Sequence, residues 1–178
     1  MRTLILGGAR SGKSVLAERL AAEHDAVLYI ATAAAGDDEM AARIDHHRAR
    51  RPAHWRLDET PLRLANTLRR EAHVARCLLV DCLTLWLSNL LCAGDEAQFE
   101  RERAALLDAI ETCPGELILV SNEVGQGVVP LGALTRRFVD EAGRLHQDVA
   151  ARCDRVVFTI AGLPQVLKGS LGAGSRNQ

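Results

Sequence analysis

The chain has 178 residues, 48% of them hydrophobic and 25% charged, proportions that suit one globular domain and leave too little for two. A domain of this size buries roughly 70% of the surface of its unfolded chain, so it needs no disulfide or metal staple. Lys and Arg number 22 against 23 Asp and Glu, which excludes a generic nucleic-acid or anionic-membrane binder but leaves room for a local arginine cluster around one phosphorylated ligand.

All but two of the positive charges are arginine, the exceptions being Lys13 and Lys168. The cysteines (Cys77, Cys82, Cys92, Cys113 and Cys153) are odd in number and form no C-x-x-C pair. They read as small thiols of a reducing compartment. Residues 1–8 run straight into a strand and a glycine turn, with no basic-then-apolar leader. The most apolar stretch, residues 83–93, is far too short for a membrane span and is broken by Ser88 and Asn89. A cytoplasmic protein without a membrane span is expected.

In chain order, the first predicted element is a strand at residues 3–6. It leads into Gly7-Gly8-Ala9-Arg10-Ser11-Gly12-Lys13-Ser14, which fits G-x-x-x-x-G-K-[ST], and a helix is predicted over residues 13–23. The glycines let backbone N–H groups turn inward around phosphate oxygens, the helix N-terminus adds partial positive charge, Lys13 adds a full one, and Ser14 reaches Mg²⁺. The flanking strand and helix favour this over a chance glycine turn. The loop predicts a nucleoside triphosphate and does not choose between ATP and GTP.

A strand is predicted at residues 26–31 and a helix at residues 37–51. The helix carries Arg43, His46, His47, Arg48, Arg50 and Arg51. Adjacent histidines on a helix point about 100° apart and cannot chelate one metal. Arg43, His47 and Arg51 share one face, and the guanidiniums disfavour protonation of His47. Spacing alone leaves two readings: a solvated polar face, or a neutral imidazole set among arginines to attack phosphorus.

Next come a helix at residues 61–75 and the strand Cys77-Leu78-Leu79-Val80-Asp81, whose terminal carboxylate suits a Walker-B role beside the phosphate loop, holding Mg²⁺ through water. A cap on the following helix is the simpler role for Asp81, and the two coexist. Residues 83–93 read as a helix after a buried strand, followed by a helix at 97–112 and a strand at 116–121. Asn122-Glu123-Val124-Gly125-Gln126-Gly127 is either a substrate or subunit-contact loop or a glycine turn with a polar rim. A helix at 131–152 and a strand at 155–161 close the pattern. Trp55 and Trp86 read as core, and residues 169–178 as a flexible tail.

The strands are continuous apolar runs, as for strands covered on both faces, and they alternate with helices. The expected fold class is α/β: a single P-loop NTPase-type domain over residues 1–168, with a largely parallel sheet and helices on both faces.

Motifs spread from Leu4 to Lys168 resemble the bifunctional adenosylcobinamide kinase / adenosylcobinamide-phosphate guanylyltransferase family of cobalamin biosynthesis. They are the phosphate loop, Tyr29-Ile30-Ala31-Thr32, Asp38-Glu39-Met40 leading to Arg43-Ile44 and His47-Arg48, then Arg51-Pro52, Trp55 and Glu59. Asp81-Cys82-Leu83-Thr84, Ser121-Asn122-Glu123-Val124-Gly125, Gly127 and Pro130 continue the series. The resemblance implies phosphorylation of adenosylcobinamide by ATP or GTP, then transfer of GMP from GTP through a histidine-bound intermediate to adenosylcobinamide phosphate. The products are adenosylcobinamide-GDP and pyrophosphate. The implied nucleotidylated histidine is His47, with His46 in a variable slot. The implied nucleotide contacts are Gly7 to Ser14, Thr32, Ala33, Ala34, Arg48, Ala49, Arg50, Arg51, Glu59 and Asp81. The implied Mg²⁺ ligands are Ser14 and Asp81, and the implied assembly is a homotrimer. One departure stands in Gly143-Arg144-Leu145-His146-Gln147, where His146 replaces the family's asparagine. A kinase without the transferase activity and a non-enzymatic GTP switch are the alternatives.

Overall fold

The computed structural model describes residues 1–33 and 52–171. Its elements are β1 (Arg2–Gly7), α1 (Lys13–Ala21), β2 (Val27–Ala31), β3 (Arg56–Glu59), α2 (Leu64–Glu71), β4 (Cys77–Asp81), α3 (Leu83–Ala93), α4 (Glu96–Thr112), β5 (Glu116–Asn122), α5 (Ala133–Arg152), β6 (Arg155–Ile160) and β7 (Leu163–Lys168). The strands form one sheet in the order β3-β2-β4-β5-β1-β6-β7. All neighbours are parallel except the β6–β7 pair. The α/β class and both-face coverage expected from sequence are what the chain adopts.

The apolar runs explain the layering. Along β1, Leu4 and Leu6 face one layer and Ile5 the other; on β5, Leu117 and Leu119 alternate with Ile118 and Val120 in the same way. The first layer packs against α2, α3, α4 and α5, and the second takes Leu16, Ala17 and Leu20 of α1. Each buried Leu or Ile contributes about 1.5–3 kcal/mol by leaving water, so a strand buried on both faces is anchored by nearly every residue. Trp86 is fully buried in the larger layer, where its indole N–H donates to the Leu62 carbonyl at 2.7 Å.

Local chemistry sets the ends of the helices. Asp95 caps α4 by accepting from the Gln98 N–H at 2.9 Å, and Gly94 ends α3 at φ +71°. The helix expected over residues 61–75 is shorter, because Ala72 turns extended after Glu71 and Arg76 Nη1 donates to the freed Glu71 carbonyl at 2.9 Å.

Two strands carry little apolar signal. β3 (Arg-Leu-Asp-Glu) is a short polar edge strand whose residues are mostly exposed. β7 is the opposite edge, joined to β6 by a two-residue turn at Ala161 (φ +52°) and Gly162 (φ +80°). Both turn residues have positive φ, as a type I′ hairpin requires, but alanine replaces the usual asparagine or aspartate in the first position. Leu171 lies in the smaller core layer at 5% exposure, so core packing extends three residues beyond the end of β7.

Candidate functional site

Connections from β1 run through α1 toward β2, whereas those from β5 run through α5 to β6 on the other side of β1. The two helices cover opposite faces, so the sheet opens outside the carboxyl ends of β1 and β5, the switch point where α/β proteins take ligands. Gly7 is in register there with Asn122 on β5 and Thr159 on β6.

The loop from Gly7 to Ser14 occupies this opening. A Cβ on Gly7 would stand 2.4 Å from both Ser11 Oγ and Thr159 Oγ1, so only glycine fits. Gly12 has φ +95°, and Arg10 holds a left-handed φ of +55°, a conformation that costs a non-glycine residue about 1–2 kcal/mol. The Leu16 N–H donates to the Gly12 carbonyl at 3.0 Å as α1 begins, and Lys13 Nζ donates to the Gly8 carbonyl at 3.2 Å. The start of α1 and the Lys13 ammonium are thus gathered at one place, as an anion site requires.

Asp81 ends β4 on the same sheet edge, but β5 lies between β4 and β1. Two strand spacings put it about 10 Å from the loop's strand, a gap that a phosphate with its metal spans. Tyr29 Oη donates to Asp81 Oδ2 at 3.0 Å and fixes the carboxylate. A hydroxyl and a carboxylate are hard oxygen donors, and Mg²⁺ takes one or two such protein ligands and fills the rest with water and phosphate. Ser14 and Asp81 fit that ion.

Thr32 is fully buried: its Oγ1 donates to the Cys82 carbonyl at 2.6 Å and accepts from the Cys82 N–H at 2.9 Å. Its own carbonyl accepts from Asn89 Nδ2 at 2.9 Å, and the same amide donates to the Pro61 carbonyl at 3.0 Å. Thr32 therefore ties β2 to β4, and the half-buried Ala33 continues the edge. Glu59 ends β3, four strands from β1 and so about 19 Å away. Ala34, His47, Arg48, Ala49, Arg50 and Arg51 lie outside the described residues.

Behind the opening runs a buried polar chain. Thr84 Oγ1 accepts from the Asn122 N–H at 2.6 Å and lies 3.1 Å from Ser121 Oγ, which is 2.8 Å from His146 Nε2. His146 Nδ1 faces Glu123 Oε2 at 3.6 Å, and Glu123 Oε1 accepts from the Gly125 N–H at 2.6 Å. Burial pushes the His146 pKa down, against the pull of the Glu123 carboxylate. His146 thus holds Ser121, at the end of β5, from beneath the sheet edge.

Sequence reasoning missed Tyr29, Asn89 and Thr159 as site-shaping residues. Each acts across strands, and only the Tyr29 strand lay within a recognised motif. All five cysteines are free thiols. Burial raises Cys82 to about 11 and Cys77 and Cys153 to about 12, which leaves them protonated and unreactive. Among the described residues no helix is long and apolar enough to cross a membrane.

The sequence profile of the cobinamide kinase / cobinamide phosphate guanyltransferase family matches residues 3–167. The bifunctional adenosylcobalamin biosynthesis protein CobP of Pseudomonas aeruginosa is 68% identical over 95% of this chain and 98% of its own length. CobU of Salmonella typhimurium, described in the same words, is 42% identical over 94% of this chain and all of its own. Among solved structures, a prototypical ATPase from the type III secretion system of pathogenic bacteria aligns with a TM-score of 0.60 at 14% identity, over 99% of this chain. This chain spans 58% of that ATPase chain, and the likeness is one of fold.

Proposed function

The chain belongs to the cobinamide kinase / cobinamide phosphate guanyltransferase family, a family of bifunctional enzymes, and from that premise we propose a reaction path and the residues that carry it. In the first step the hydroxyl of adenosylcobinamide attacks the γ-phosphorus of ATP or GTP. The bond to the β,γ-bridging oxygen breaks, the nucleoside diphosphate leaves, and the hydroxyl proton passes to water. Loop amides and Lys13 neutralise the charge spread over the transferring group.

In the second step a neutral His47 nitrogen attacks the α-phosphorus of GTP and pyrophosphate departs, leaving GMP on the imidazole. The phosphate of adenosylcobinamide phosphate then displaces the histidine, giving adenosylcobinamide-GDP and restoring the enzyme. One displacement becomes two in-line steps. Arg48, Ala49, Arg50 and Arg51 meet GTP beside the nucleophile, with Thr32, Ala33, Ala34 and Glu59 along the nucleoside. The 19 Å or so from β1 to Glu59 suits the length of a nucleoside triphosphate laid across the strand ends. Mg²⁺ on Ser14 and Asp81 would supply charge neutralisation at the phosphates.

The observation that carries this reading is the phosphate loop: a glycine that admits no Cβ, a lysine folded over the loop, and a helix starting beneath it. A homotrimer and a cytoplasmic setting belong to the same proposal. Val128, Val129 and Leu131, 96%, 72% and 97% exposed, supply apolar surface that a second copy can cover.

Intact-protein mass after incubation with GTP and Mg²⁺, without corrinoid, tests the path. An acid-labile GMP adduct is expected on the native chain and on His46→Ala, and none on His47→Ala. An adduct retained in His47→Ala and lost in His46→Ala overturns the assignment. No adduct on a native chain that binds GTP leaves the plain kinase.

A further inference from the structure

The tip of the β6–β7 hairpin lies against the phosphate loop, and both of its polar contacts there fall on one residue. Thr159, 1% exposed near the end of β6, donates its hydroxyl proton to the Leu6 carbonyl at 3.1 Å. Its oxygen then accepts from Ser11, whose Oγ lies 2.8 Å away. The Ser11 carbonyl accepts from the Gly162 N–H in the hairpin turn at 2.9 Å. Ser11 is thereby pinned at side chain and main chain, immediately before Gly12 and Lys13.

The fit is close. A Cβ on Gly12 would stand 3.0 Å from the Gly162 Cα, so turn and loop touch backbone to backbone. Ile160, Ala161, Gly162 and Leu163 are all exposed, so the tip buries no apolar side chain that would explain its position by core packing. What the tip contributes is the Gly162 hydrogen bond to Ser11, and Thr159 just before it adds the second bond to the same residue.

We infer that Thr159 and the Gly162 amide are positioning residues for nucleotide binding, a clamp that presets the phosphate loop before the polyphosphate arrives. The inference rests on the reading above that this loop holds nucleotide phosphates. A loop whose N–H groups already converge binds its anion without the cost of ordering it. The C-terminal hairpin is thus part of the nucleotide site, although it contributes no group to the phosphates themselves. Coupling runs both ways: a bound polyphosphate that holds Ser11 also steadies the Gly162 N–H.

The test measures the affinity of the full chain for Mg²⁺·GDP by calorimetry, with native protein, Thr159→Val and Thr159→Ser. Valine keeps the shape and removes the hydroxyl, and serine restores it. The dissociation constant is expected to rise roughly tenfold in Thr159→Val and to stay within about threefold of native in Thr159→Ser, at a temperature where all three are folded. Native-like affinity in Thr159→Val overturns the clamp, as does equal weakening in Thr159→Ser. If Thr159→Val does not fold, hydrogen exchange on the native chain decides: the Gly162 amide is expected to exchange more slowly with GDP bound, and an unchanged rate overturns the inference. A native chain that binds no GDP overturns the phosphate-loop reading itself, and the clamp with it.

Discussion

Replacing Gly7 by alanine adds one methyl group at the most crowded point of the site, and the structure gives its cost. The new carbon would lie 2.4 Å from Ser11 Oγ, 2.4 Å from Thr159 Oγ1 and 2.7 Å from the Thr159 carbonyl oxygen. None of these can yield cheaply. Thr159 is buried on β6 and bonded to the Leu6 carbonyl, and Ser11 is held at both ends. Overpacking costs about 1–3 kcal/mol, and separating the Ser11–Thr159 hydrogen bond adds about 0.5–1.5 kcal/mol. A loss of roughly 2–4 kcal/mol lowers the thermal midpoint of a chain this size by roughly 5–15 °C.

Gly8 is the internal control, since a Cβ there meets nothing within 4 Å and its φ is not left-handed. Alanine at Gly8 is expected to leave the midpoint unchanged or raise it by about 1–3 °C, because it restricts the unfolded chain. Scanning calorimetry of both variants without nucleotide makes the comparison. Equal destabilisation at Gly7 and Gly8, or none at either, would refute the close-approach argument.

The remaining predictions concern charge and hydrogen bonding. The Mg²⁺ concentration that supports half-maximal kinase rate should rise about tenfold in Asp81→Asn, and an unchanged titration would remove Asp81 from the metal site. Thr32→Val leaves the Cys82 N–H and carbonyl without their bonds at 2.9 and 2.6 Å, and should cost about 1–3 kcal/mol in urea unfolding; a loss below about 0.5 kcal/mol would contradict the buried tie. His146 has a folded pKa below its ordinary value of 6.5, so the unfolded chain binds the proton first as pH falls. Its contribution to stability is complete above that value and declines as pH drops through 6.5 toward the folded pKa, by up to about 1.4 kcal/mol per pH unit. His146→Asn should flatten this acid-side slope in denaturant midpoints, and superimposable profiles would exclude the linkage.

Much of this protein follows from local sequence. The glycines, lysine and serine of residues 7–14 are dictated by the backbone turn and by anion chemistry, so strand, loop and helix are legible together. Continuous runs such as Cys77-Leu78-Leu79-Val80 announce strands buried on both faces, because only a sheet covered twice rewards apolar residues at every position. For the histidine–arginine stretch, spacing alone leaves a solvated face and a nucleophile both open, and only the family resemblance points to His47.

Other features depended on tertiary structure. No local signal inserts β5 between β4 and β1, yet that order sets the gap between Asp81 and the phosphate loop. The polar β3 and the Ala161–Gly162 turn escaped notice because edge strands and an atypical type I′ turn lack the apolar period and residue types that mark such elements. Thr32, expected at the nucleotide, has its hydroxyl turned into the protein by Cys82, and Thr159 reaches Ser11 from 148 residues away. Sequence determines what each segment is able to form, since propensity and periodicity act over a few residues. Which segments then meet is decided by burial and hydrogen-bond satisfaction across the whole chain, and the proposed nucleotide site lies where β1, β5 and the β6–β7 hairpin converge.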